Sequence, residues 1–184
     1  PDMAIVVADA SNLKRNLLLF SQVRDLGIPT VLALNMIDVA ENEGYVINSL
    51  KLARELNVEV AEVNAKKGIG LNGLKLAVVK SLANRYASND ALPLSISDDL
   101  IQDVQAKFGE GEIYRSLLWL MEHDRMKMFS QAQRESFDAI QNKHHFSSKK
   151  YQSEETVKRY EQITEVVDRC VINLNRQWDA TPVR

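Results

Sequence analysis

The sequence is poor in the residues that mark several protein classes. A single cysteine, Cys170, stands in 184 residues; it cannot close an internal disulfide and has no partner for a metal cluster, a usage that suits a reducing compartment. Seven glycines and four prolines are too few for a collagen repeat, and a hydrophobic fraction of 45% is too high for a disordered chain. Charge of one sign is also lacking. With 23 Lys and Arg against 25 Asp and Glu the net charge is −2, so there is no basic field for a nucleic-acid backbone and nucleic acid is not an expected partner. No run approaches the roughly 20 apolar residues that cross a bilayer, so the chain as it stands is expected to be soluble. It opens on Pro1 with no signal peptide after it, which reads as a piece of something longer. Its length suits one large domain or two small ones.

Two periodicities divide what is there. From Asp2 to about Arg85, short aliphatic runs alternate with amphipathic stretches, the pattern of strands and helices in a parallel sheet. Strands are predicted at Met3 to Ala8, Thr30 to Leu34 and Val58 to Val63. Helices are predicted at about Leu13 to Leu26, closed by Gly27, at about Ile47 to Leu56, and at about Leu71 to Asn84 after the Gly68-Ile69-Gly70 loop. A polar stretch from Ser88 to Pro93 then suggests a domain boundary. Beyond it the pattern is all helical. Ser97 suits the N-cap of a helix from Asp98 to Phe108 ended by Gly109; another helix carries Ile113, Leu117, Leu120 and Met121, and a third spans Gln131 to Asn142. Tyr160, Ile163, Val167, Cys170 and Leu174 recur at the spacing of a last helical packing seam.

Ligands of open α/β sheets bind beyond the carboxyl ends of the strands. Two loops fall there on one face: Asn35-Met36-Ile37-Asp38 and Asn64-Ala65-Lys66-Lys67-Gly68. A carboxylate such as Asp38 can accept parallel hydrogen bonds from the ring N–H and amino group of guanine, a pair of donors that adenine lacks. Asn35 can bridge the loop and reach the other edge of the base. The Ala65 N–H can donate to the keto oxygen, its small side chain allowing close approach, while the Lys66 stem lies over the ring. An N-x-x-D stretch alone equally forms a helix cap or an Asx-turn after a strand. The second loop, one strand–helix unit later, is what makes the pair informative.

These residues resemble a known family. Val7-Ala8-Asp9-Ala10-Ser11-Asn12-Leu13-Lys14-Arg15-Asn16-Leu17, Leu26-Gly27-Ile28-Pro29 and Leu32-Ala33-Leu34-Asn35-Met36-Ile37-Asp38 look like the GTPase domain of the ferrous iron transport protein B (FeoB) family. There the guanine motif N-K-x-D carries Met in place of Lys, as Met36 does here. An Arg-Tyr-x-x-Ile helix ends the helical domain of that family, and Arg159-Tyr160-Glu161-Gln162-Ile163 matches it. The resemblance implies an incomplete P-loop GTPase-like parallel sheet with flanking helices, followed by a small all-α domain. Residues 1–87 would be the C-terminal portion of the GTPase domain and residues 88–184 the helical domain leading toward a membrane domain. It further implies a guanine site of Asn35, Met36, Asp38, Asn64, Ala65 and Lys66, with Asn64 standing where the family has Ser.

No G-x-x-x-x-G-K-[ST] loop, switch threonine or D-x-x-G metal loop occurs in the sequence; they are expected upstream of Pro1. The resemblance therefore implies weak or absent GTP and GDP binding by this piece, no catalytic residue in it, and Mg²⁺ only in the intact parent. That parent would bind and hydrolyse GTP to regulate Fe(II) uptake at the cytoplasmic face of the bacterial inner membrane. In such a topology the first strand would pair with the phosphate-loop strand, so an open edge and self-association or strand exchange are expected.

Other readings stay open. The α/β half with its helical tail also reads as a non-enzymatic docking module in which Asn35 and Asp38 form a structural turn, or as a GTPase of another family such as a ribosome-assembly factor. His144-His145 lacks a nearby third ligand and reads as loop rather than metal pair. Lys149 and Lys150, with Arg134 and Lys143, read as a solvated face rather than a lipid contact. Cys170 suits a buried small hydrophobe, and Trp119, Met121, Met126 and Met128 suit a core rather than a partner groove.

Overall fold

The computed structural model describes residues 1–84, 96–109 and 112–174. They fall into two compact units, the first drawn from Pro1–Arg24, Ile28–Ala87 and Tyr160–Arg184, the second from Asp25–Gly27 and Ser88–Arg159.

The first unit is organised by β2 (Thr30–Asn35), whose residues from Thr30 to Leu34 are all buried. Such a run, apolar without alternation, is what a strand shows when both faces are covered. It lies between β1 (Ala4–Asp9) and β4 (Glu59–Val63), parallel to both. On one face Val6, Ala8, Leu32 and Leu34 join a core with Leu17 and Phe20 of α1 (Leu13–Arg24) and Leu52 of α3 (Ser49–Leu56). On the other, Val31 and Ala61 pack against Ala77 of α4 (Leu71–Asn84). β1 has no partner on its outer side among the described residues, and its Ile5 and Val7 are 45% and 59% exposed.

The three expected strands and the helices after them lie within one or two residues of their predicted bounds. The differences are in short elements. A six-residue helix α2 (Ile37–Asn42) and a three-residue strand β3 (Tyr45–Ile47) follow β2, both too short to leave a periodic signature. β3 takes Ile47 from the predicted helix, which starts at Ser49 because Asn48 caps it: the Asn48 Oδ1 accepts from the Lys51 N–H at 2.9 Å.

The tail departs further. Helix α8 runs Ser148–Cys170 and ends where β5 (Val171–Asn173) pairs antiparallel with β3. The Asn48 N–H donates to the Cys170 carbonyl, and the Leu174 N–H to the Gly44 carbonyl. So Ile163, Val167 and Cys170 are buried as the seam requires, but their partner is the sheet-unit core; Leu174 has left the helix and is 44% exposed. The expected all-helical 88–184 segment thus contains a strand, and its residues from Tyr160 onward cluster with the first unit. The Ser88 to Pro93 boundary lies outside the described residues.

The second unit comprises α5 (Asp98–Phe108), α6 (Ile113–Glu122), α7 (Gln131–Lys143) and the first half of α8. Phe108 stacks on Phe137 with ring centroids 3.7 Å apart, beside Leu100, Val104 and Leu120. Trp119 and Met126 pack on this cluster, and Met121 on a neighbouring one; Met128 is exposed. Ser97 occupies the N-cap position of α5, yet its side chain makes no capping bond; the capping box is at Ser130 and Gln133 of α7.

Arg159 is 2% exposed. Its Nη1 donates to Asp25 Oδ2 at 2.7 Å and its Nε to Glu155 Oε1 at 2.8 Å, and its guanidinium lies 4.8 Å from the centroid of the Tyr114 ring. Burial, with Glu155 adding to it, pushes the Tyr114 hydroxyl up to about 12. Removing the guanidinium takes a buried cationic partner from two buried carboxylates, so Arg159→Ala is expected to cost about 3–5 kcal/mol. Truncating exposed Leu19 should change stability by less than about 0.5 kcal/mol. Urea unfolding of the two variants against the parent chain checks this, and equal midpoints would contradict it.

Candidate functional site at the ends of strands β2 and β4

Parallel pairing places Asn35, the last residue of β2, opposite Val63, the last of β4. Both chains therefore leave the sheet at one level, and their loops meet. The Asn35 Oδ1 accepts from the Ala65 N–H at 3.1 Å. Asp38, in the first turn of α2, accepts at Oδ2 from Asn64 Nδ2 at 3.0 Å and from Lys67 Nζ at 3.3 Å.

Each loop is built for this. After β2 the chain turns through Met36, which holds a left-handed φ of 62° at the N-cap position of α2 and makes no side-chain capping bond. A non-glycine residue in this region costs energy and often marks a functional site. The turn sets Asp38 where its carboxylate meets the second loop. That loop closes on itself: the Asn64 and Ile69 N–H groups each donate to the other residue's carbonyl, at 3.0 and 3.1 Å. Asn64 Oδ1 also accepts from the Lys67 N–H at 3.0 Å, an Asx-type turn that brings Lys67 back over the loop. Gly70, at φ 82°, cannot be replaced without strain, since an added Cβ would collide with the Glu62 carbonyl.

The hydrogen bond from Lys67, reinforced by its charge and by the N–H groups of Val39 and Asp38 itself, holds the Asp38 carboxyl below the usual carboxylate range against a smaller opposing effect of burial. Asp38 is thus ionised at neutral pH and purely an acceptor. Together the two loops present a carboxylate, an amide carbonyl oxygen and a backbone N–H along one rim, a set suited to a planar polar edge.

Of the residues singled out in the sequence, Asn35, Asp38, Asn64 and Ala65 are brought together. Met36 acts through its backbone, with its side chain 42% exposed. Lys66 is exposed and does not reach Asp38; the lysine that does is Lys67. The signal for it was the Asn64-to-Lys67 spacing of an Asx-turn, which returns the fourth residue of the loop toward the first. Elsewhere, His144 Nε2 lies 2.5 Å from Asp103 Oδ2, which Lys143 also engages, and the buried Cys170 thiol is pushed up by desolvation. Among the described residues no group of three His, Cys, Asp or Glu is placed to hold a metal ion.

Because its folded pKa is depressed, Asp38 gives the loop pairing its support above the unfolded value and loses it as pH falls through the folded one. Carboxyl-carbon NMR titration should place the Asp38 midpoint below that of ordinary aspartates, and Lys67→Met should raise it. A midpoint unmoved by that substitution would contradict the pairing.

Residues 1–78 match the family model described as ferrous iron transport protein B. The Fe(2+) transporter FeoB of Salmonella typhimurium is 39% identical over 108 residues, 58% of this chain and 14% of that protein. The chain thus spans a small fraction of the curated relatives it matches. Among solved structures, the cytosolic domain of L. pneumophila FeoB superposes with a TM-score of 0.70 at 26% identity, covering 93% of this chain and 68% of that one. The mGMPPNP-bound NFeoB from S. thermophilus gives 0.65 at 26% identity, covering 92% and 67%. The parallel sheet with flanking helices is accordingly P-loop GTPase-like. No described helix is long and apolar enough to cross a membrane. Strands β1, β2 and β4 and both strand-end loops lie inside the segment of this chain that matches the ferrous iron transport protein B model.

Proposed function

We propose that this chain carries the base-reading loops of a guanine-nucleotide site in the cytosolic region of a ferrous iron transporter. The observation that carries the reading is the convergence of Asn35, Asp38 and Ala65 from two loops fixed by one strand pairing. An mGMPPNP-bound relative of the same fold supports it. In this reading Asp38 accepts from the N1–H and amino group of guanine, and the Ala65 N–H turns from Asn35 to the keto oxygen. Met36 sets the turn, Asn64 steadies Asp38, and the Lys66 stem lies alongside the ring. Residues 1–87 are then the later portion of a GTPase domain, and residues 88–184 supply a helical domain whose last part, from Tyr160, packs with the sheet unit on the way toward the membrane domain.

The whole transporter would bind and hydrolyse GTP to regulate Fe(II) uptake at the cytoplasmic face of the bacterial inner membrane. This sequence holds neither a G-x-x-x-x-G-K-[ST] nor a D-x-x-G motif, so phosphate and Mg²⁺ binding and hydrolysis are assigned to the intact parent. This chain alone binds nucleotide weakly and does not hydrolyse it. The outer side of β1, which no strand among the described residues pairs, has Ile5 and Val7 exposed and is a template for strand addition, so light scattering should reveal species above the 20.8 kDa of one chain. Monodisperse monomer would contradict self-association.

One observation favours a second reading. Asn35, Asp38 and the Ala65 N–H are already satisfied by each other's loops, as a purely structural clasp in a docking module would require. Amide NMR of the labelled chain separates the two. Guanosine monophosphate should shift the Ala65 and Asp38 signals where adenosine monophosphate does not, and Asp38→Asn should weaken binding by about 10–100-fold through loss of charge-assisted bonds. Equal responses to both nucleotides, or to neither, would leave the clasp.

A further inference from the structure

We infer that His123 is a proton-dependent clip in the second unit, held doubly protonated between the end of α6 and the side of α7 and opened when rising pH removes one proton. The turn His123–Arg125 follows α6 directly, and it leaves the imidazole 2% exposed. Nδ1 lies 2.9 Å from the Leu120 carbonyl oxygen and Nε2 lies 3.1 Å from Asp138 Oδ1. A backbone carbonyl only accepts, and so does an ionised carboxylate, so each ring nitrogen carries a hydrogen. The surroundings suit a cation. Leu120 carries one of the last four carbonyls of α6, the negative end of the helix dipole, and Asp124 Oδ1 stands 3.7 Å from Nε2. The basic groups close by are engaged elsewhere, Arg125 by Glu122 at 3.1 Å and Arg134 by the Met126 carbonyl at 3.1 Å. Neutral groups complete the shell: Gln141 Nε2 shares the Leu120 carbonyl at 2.6 Å, and the Phe137 ring stacks on the imidazole with centroids 5.1 Å apart.

A neutral ring keeps one N–H, and the fold decides which. With the hydrogen on Nε2, the Nδ1 lone pair would face the Leu120 oxygen at 2.9 Å, and neither a helix carbonyl nor the buried ring can retreat. With it on Nδ1, the Nε2 lone pair faces Asp138, whose side chain is 56% exposed and can turn out to water. Deprotonation therefore leaves the Nδ1–H form and releases Asp138, and with it the tie between the end of α6 and α7. Both acceptors come to the ring only in the folded chain. The stability that the doubly protonated ring contributes is thus full while the unfolded ring is also charged, and is lost as pH rises through the folded titration. Histidine chemistry places that change near neutrality.

Long-range nitrogen NMR of the histidine rings in the labelled 184-residue chain reads both states directly. At about pH 7.5 His123 should show two protonated nitrogens while the exposed His145 shows one, and above its own midpoint His123 should settle as the Nδ1–H tautomer. Asp138→Asn, at an exposed position, should retain the native spectrum and lower the His123 midpoint by about one pH unit. The urea midpoint followed on the Leu120 and Phe137 amides should fall between about pH 6 and about pH 8 in the parent chain, and fall less in Asp138→Asn. A His123 ring already neutral at about pH 7.5, an Nε2–H tautomer, or a midpoint that Asp138→Asn leaves in place would overturn the clip.

Discussion

Parallel pairing of β2 with β4 is what turns two loops, almost thirty residues apart in sequence, into one rim. Because Asn35 and Val63 are in register, the two chains emerge at one height, and each short loop needs only a turn to meet the other. That pairing is secured by β2 itself, buried from Thr30 to Leu34. A slip of one residue in a strand covered on both faces exposes no new apolar surface but misplaces its ends, so register is held by the flanking ladders to β1 and β4 rather than by an apolar–polar alternation. A substitution that lets β4 slide would disperse the site even if every site residue were kept.

The rim is preorganised but also self-satisfied. Cross-loop bonds from Asn64, Ala65 and Lys67 hold Asp38 and Asn35 in place, which limits the ordering cost of taking up a ligand. The same bonds must be exchanged for bonds to the ligand, which lowers the net gain. Strain at Met36 fits this picture, since a left-handed non-glycine turn persists only where the surroundings over-determine it.

Much of this was legible in the sequence because its signals are local. Thr30 to Leu34 reads as a strand from five residues, and Gly68 and Gly70 announce a tight loop whose backbone does need positive φ. The apolar run Met3 to Ala8 reads as a strand covered on both faces, yet it forms the edge strand β1 with Ile5 and Val7 exposed; it is β2 that is covered on both. The strand-end rule then pointed to Asn35, Asp38, Asn64 and Ala65. What escaped depends on geometry no periodicity encodes. β3 and β5 are three-residue strands 124 to 128 positions apart that exist only because they meet. The seam of Ile163, Val167 and Cys170 declared an apolar face but not its partner, which is the sheet unit. Lys66 and Lys67 are chemically equal, and only the turn at Asn64 decides which one faces Asp38. The buried contact of Arg159 with Asp25 joins residues too far apart in sequence for any spacing argument.

The most direct measurement is a crystal structure of the chain soaked with guanosine monophosphate. A guanine site predicts the base seated between the two loops, its N1 and amino nitrogen within hydrogen-bonding distance of the Asp38 carboxylate and its keto oxygen beside the Ala65 nitrogen. Loops unchanged and empty, with Asn35 still bonded to Ala65, or a base bound away from Asp38, would contradict it.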